Sequence, residues 1–100
     1  MRTMLTIQMP VQAGNAAITD QSLPATMERL MTLIKPEAAY FYAADGLRSA
    51  LMVFDMTASS QIPLIVEPLF MGFDASVTLT PVMNAEELAE GLAAWAQSGS

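Results

Sequence analysis

A chain of 100 residues suffices for one domain with a single core, burying roughly two-thirds of the surface that its unfolded form exposes. Apolar residues make up 53% and charged residues 14%, against about 25% charged in ordinary soluble domains, so much apolar surface needs cover. The net charge of −6 leaves no basic stripe for nucleic acid or anionic membranes, and the lack of Cys and His excludes disulfides, thiolate nucleophiles, imidazole bases and the usual transition-metal and haem ligands.

Neither a metal nor a cofactor is therefore expected. The longest apolar stretch, Ile62 to Phe73, contains Glu67 and two prolines and falls short of the ~20 residues a spanning helix needs. No apolar leader follows Arg2 before Gln8 and Pro10, so a cytoplasmic protein is the expectation.

Leu5, Ile7 and Met9 alternate with Thr6 and Gln8, which predicts a half-buried first strand ending near Pro10. The polar run from Gln12 to Gln21, with Gly14 and Asn15, reads as a loop. Ser22 is positioned to cap a helix whose face comprises Leu23, Met27, Leu30, Met31 and Ile34, and Pro36 stops it. A methionine-rich face at this spacing is core filler before it is a binding surface.

Two β-rich runs, Ala38 to Ala44 and Leu47 to Met56, flank Asp45-Gly46. Both turn residues tolerate the positive φ of a type I′ turn, so this pair predicts a tight antiparallel hairpin. A two-residue loop sets Tyr40 opposite Leu51 and Tyr42 opposite Ser49 on one face, with Phe41 opposite Ala50 on the other. Leu51 and Val53 alternate with Met52 and Phe54, so both faces of the third strand need cover and helices can supply only one. A homodimer through the open sheet face follows as the expectation.

Ser59 or Ser60 is positioned to cap a second helix with Ile62, Ile65, Val66, Leu69 and Phe70 on one face; Pro68 is expected to kink or end it, with Gly72 aiding the turn. Ser76 to Val82 alternates as a fourth strand. Asn84 and Glu87 form a capping-box pattern ahead of a terminal helix striped by Leu88, Leu92 and Trp95. One domain over 1–97 and a frayed tail at 98–100 complete the reading.

The order βαββαβ plus a terminal helix makes the fold class α+β. With the Asp45-Gly46 hairpin and the small size, it resembles the ferredoxin-like dimeric α/β-barrel superfamily. Pro36-Glu37-Ala38-Ala39-Tyr40-Phe41, Glu67-Pro68-Leu69-Phe70 and Pro81-Val82-Met83-Asn84 resemble, over nearly the whole chain, a small bacterial family of such domains with no characterised activity. The resemblance implies a ferredoxin-like antiparallel sheet and two open faces joined into a barrel around a cavity. Catalytic roles do not carry over, because members that use His as base or haem ligand have no counterpart residue here.

Tyr40 and Tyr42 share a strand face and can orient a carbonyl or phenolic ligand, or pack at a dimer seam. Thr6, Gln8, Thr78 and Thr80 give that open face a polar, uncharged lining, suited to a small ligand or to a wet interface. Arg48 can clamp a carboxylate or stand as a solvated hairpin-end charge paired with Asp45 or Glu37. Glu67 suits proton transfer if partly buried and is otherwise part of a solvated helix stripe; Asp55 has the same two readings. The resulting function is a homodimeric small-molecule-binding or regulatory domain. The alternatives are a cofactor-independent monooxygenase or isomerase acting on an activated phenol, quinol or lactone, and a structural partner subunit.

Overall fold

The computed structural model describes residues 1–99. It orders them as β1 (Arg2–Met9), α1 (Val11–Thr19), α2 (Ser22–Ile34), β2 (Ala38–Ala44), β3 (Leu47–Asp55), a 3₁₀ turn (Ser59–Gln61), α3 (Ile62–Phe73), β4 (Ser76–Pro81) and α4 (Ala85–Gln97). The strands form one antiparallel sheet in the order β2-β3-β1-β4, the ferredoxin-like arrangement, with the α1–α2 and α3 crossovers packed on one face and α4 appended.

Period-two alternation makes that face. Thr3, Leu5, Ile7 and Met9 of β1 and Ala50, Met52 and Phe54 of β3 are all buried. The apolar ones among them meet Leu30 and Ile34 of α2 and Ile65, Leu69 and Phe73 of α3 in one cluster. Each large apolar side chain so buried contributes about 1.5–3 kcal/mol. The expected α2 face packs here complete, with Leu23, Met27 and Met31 at its margin.

The β2–β3 hairpin has the register that a two-residue turn requires: Tyr40↔Leu51, Phe41↔Ala50 and Tyr42↔Ser49. Asp45 at φ 57 and Gly46 at φ 71 are both left-handed, as a type I′ turn demands.

Four local expectations need correction. Most of the run read as a loop is α1, a helix despite Gly14 and Asn15. Tertiary contact outweighs the poor propensity: Ala17 is in the core, and Gly14 lies so close to β3 that a Cβ there would stand 2.6 Å from Nη1 of Arg48. Ser22 does not cap α2. It is the first helical residue, and its N–H donates to Oδ1 of Asp20 at 2.9 Å while Gln21 turns left-handed at φ 64. Hydrogen bonds from the Ser22 hydroxyl and N–H hold the Asp20 carboxyl below its ordinary value.

Of the two outcomes expected at Pro68, a kink or an end, the end is not met: α3 runs on to Phe73 and is closed by Asp74 in the left-handed region rather than by Gly72. The reason is one of magnitude. An interior proline costs about 3 kcal/mol. Leu69 and Phe73, both beyond it and both 1% exposed, together recover at least that much by burial. Ser59 and Ser60 sit in the 3₁₀ turn and make no capping bond to α3.

The terminal helix departs most from a compact domain. None of its residues is buried, and Leu88, Leu92 and Trp95 are 46%, 58% and 62% exposed. The chain measures 57 × 28 × 18 Å with a radius of gyration of 16.3 Å, against about 13 Å for a compact domain of 100 residues. The tail expected to fray falls partly on Ser100, outside the described residues.

Candidate functional site

Opposite the helices the sheet is uncovered, and the pairing registers arrange its side chains in rungs. The central rung is Tyr40–Leu51–Thr6–Thr78, one residue from each strand in sheet order. Toward the hairpin lies Tyr42–Ser49–Gln8–Ser76, and on the other side Ala38–Val53–Met4–Thr80. Thus Tyr40, Tyr42, Thr6, Gln8, Thr78 and Thr80 share one surface, because directly paired residues project to the same side of a sheet.

The surface is mixed. Leu51, Val53 and Met4 form a half-buried apolar centre; hydroxyls and one amide flank it. Tyr40 is 65% and Tyr42 44% exposed. Nε2 of Gln8 donates to Oγ of Ser49 at 3.3 Å and to Oδ2 of Asp45 at 3.4 Å, which ties the rung nearest the hairpin together. Such a face can accept and donate hydrogen bonds around an apolar middle, which suits a small, partly aromatic organic molecule.

Its far end is charged. Arg2 of β1 pairs with Glu37, and its Nε donates to Oε1 of Glu87 in α4 at 2.8 Å. Asp55, opposite Arg2, accepts from the Met1 ammonium group at 2.6 Å. Oε1 of Glu87 also accepts from the Asn84 N–H at 2.9 Å, completing the capping box. These bonds, that from Asn84 foremost and that from Arg2 next, hold the Glu87 carboxyl below its ordinary value of 4.5.

The sign follows from the direction. A carboxyl depressed in the folded state contributes its stability above the unfolded value, near 4.5, and loses it as pH falls through the lower folded value. The start of α4 should therefore hold at neutral pH and loosen only in acid. Far-UV circular dichroism should show a small acid loss of helix in the wild type and a smaller one in Glu87→Gln; equal losses in both would contradict this.

The remaining candidates lie outside the tyrosine rungs. Arg48 pairs with Ala43 and Met9, so it projects to the helix side. There Nη1 donates to O of Val11 at 3.3 Å and Nη2 to Oδ1 of Asn15 at 3.0 Å, with no carboxylate partner among the described residues. Glu67 is exposed on α3, beyond the sheet from Tyr40 and Tyr42. Asp55 shares the open face but sits at its charged end, 76% exposed. No cluster of three or more His, Cys, Asp or Glu side chains suited to a metal ion occurs among the described residues.

Sequence reasoning missed Phe41 as a surface feature. It projects to the helix side yet is 61% exposed, because α2 does not reach over β2. A largely apolar groove of about 230 Å³ opens there between α2 and the hairpin; Ile7, Met9, Leu23, Met27, Phe41 and Ala50 line it together with Arg48 and, from the hairpin edge, Tyr42 and Ser49. The signal available in the sequence was Phe41 itself, a large side chain at an edge-strand position with no facing partner larger than Ala50.

No protein-family model matches the chain, and a search of curated proteins finds no significant match. No helix among the described residues is long and apolar enough to cross a membrane.

Proposed function

We propose that the protein is a homodimeric small-molecule-binding domain, with the open sheet faces of two copies enclosing the ligand, in the manner of the ferredoxin-like dimeric α/β barrels that its sequence resembles. The observation that carries the reading is the uncovered face itself. Leu51, Val53 and Met4 lie in the middle of a surface that no helix of the chain covers, flanked by Tyr40, Tyr42, Thr6, Gln8, Thr78 and Thr80. Pairing two such faces buries the apolar centre and leaves the hydroxyls lining a cavity, where they hydrogen-bond a phenol or carbonyl compound. A binding or regulatory role in the cytoplasm fits this lining better than catalysis. Neither Glu67 nor Asp55 lies beside the tyrosines, so neither is positioned as a base for a substrate held there.

Light scattering at micromolar concentration together with fluorescence titration of naphthol, a phenolic probe, tests the proposal. The expected result is twice the chain mass and saturable binding that Tyr40→Phe and Tyr42→Phe weaken. A monomer overturns the barrel; a dimer without saturable binding overturns the ligand role and leaves a structural subunit.

A further inference from the structure

Apart from the open sheet face and a cleft between α2 and α3 lined by Leu30, Leu33, Leu64 and Ile65, two apolar surfaces of the chain match each other. One is the α4 stripe of Leu88, Leu92 and Trp95, spaced i, i+4 and i+7 on a 13-residue helix with no buried residue. Isolated helices shorter than about 12–15 residues are marginal in water, so this helix needs a partner for its apolar face. The other is the groove between α2 and β2 beside Phe41. We infer that α4 of one copy docks by its Leu88–Leu92–Trp95 stripe into the Phe41 groove of a second copy.

Size selects the occupant. At about 230 Å³ the groove falls below the roughly 300–1,000 Å³ of pockets for drug-sized ligands, and it suits one or two large side chains. An amphipathic helix laid in an apolar groove with i, i+4 and i+7 anchors is a standard recognition mode.

The chain's own α4 does not fill the groove. Glu87 is tied to Arg2 at one end of β1, while the groove is built on Ile7 and Met9 toward the other. Arg2 and Met9 are about 23 Å apart along an extended strand, and the 57 Å length of the molecule has α4 leaving the body.

Charge agrees. Arg48, which lines the groove, has no ion pair among the described residues, whereas α4 carries Glu86, Glu87 and Glu90 and no cation. Complementary fields of this kind steer association and fix its orientation.

Area agrees as well. The open sheet face spans only about 20 Å by 20 Å, four strands wide and six residues long, whereas a standard interface buries about 800 Å² per partner. Reciprocal exchange of two helices, each about 20 Å long, brings the total toward that size. The inference thus rests on the proposed pairing for its closed, two-fold form, but it is tested separately.

Trp95 is the sole tryptophan, so its emission reports the stripe directly. The experiment follows wild-type Trp95 emission and light-scattering mass together across a dilution series, then repeats both with Phe41→Glu. Phe41 is 61% exposed, so this variant should fold, and the wild-type series is decisive without it. Expected is an emission shift to the blue in step with doubling of the mass, reversed by Phe41→Glu with association weakened about tenfold or more. Dimeric mass with solvent-exposed Trp95 overturns the docked helix and spares the sheet pairing. Monomeric mass with exposed Trp95 overturns both. Buried Trp95 in a monomer places the helix on its own chain, and a shift indifferent to Phe41→Glu places it in another groove; either result overturns the inference.

Discussion

Leu51→Glu is expected to convert the proposed dimer to a folded monomer. Leu51 stands in the central rung between Tyr40 and Thr6, at the middle of the uncovered face, and is half-buried within its own chain. Its backbone lies in the β3 ladder, but its side chain points away from Met52 and Phe54, so the substitution leaves the core untouched. In the free chain a carboxylate there remains hydrated. In the paired sheets it would be buried with no cation beside it, since Arg2 lies at the end of the face and is already held by Glu37 and Glu87. Breaking complementarity with an unpaired buried charge costs on the order of 3–5 kcal/mol, a loss of about 10²–10³-fold or more in association. Light scattering should report the single-chain mass at concentrations where the wild type is dimeric, with an unchanged far-UV spectrum. A Leu51→Glu chain that remains dimeric would place the interface elsewhere.

Phe54→Ala is expected to remove most of the fold's stability, and Phe41→Ala almost none in the monomeric state. Both are phenylalanines on the helix side of the hairpin, yet Phe54 is 1% exposed and Phe41 61%. Phe54 pairs with Thr3 on the central strand β1 and packs in the cluster with α2 and α3. Truncating it removes the transfer free energy and leaves a cavity that the close-packed interior cannot refill, which costs about 3–5 kcal/mol. Against a total of about 5–15 kcal/mol for small domains, that is a large fraction. Phe41 overhangs an edge strand that α2 leaves open, so truncation loses little packing. Urea denaturation of a monomeric background such as Leu51→Glu measures both; comparable losses from the two substitutions would contradict the exposure of Phe41.

How much of this was legible beforehand depends on the range of the interaction involved. The alternation of Leu5, Ile7 and Met9, the Asp45-Gly46 turn and the Asn84–Glu87 capping box are local patterns, and each has its expected form in the structure. Because a two-residue turn sets register and register sets face, those same residues placed Tyr40 and Tyr42 on the open side, with Thr6, Gln8, Thr78 and Thr80 beside them.

Tertiary contact decided the rest. Local propensity made the segment around Gly14 and Asn15 a loop, whereas close packing of Gly14 against Arg48 and burial of Ala17 made it a helix. Propensity also allowed α3 to kink or end at Pro68, and burial of Leu69 and Phe73 carried the helix past it. The position of Arg48 apart from the tyrosine face, the bare α4 stripe and the groove beside Phe41 depend on how far each helix reaches across the sheet. Helix spacing alone identified Leu88, Leu92 and Trp95 as an apolar face. Only the three-dimensional arrangement left that face uncovered, because Glu87 is bound to Arg2 at one end of the sheet and the matching groove lies toward the other.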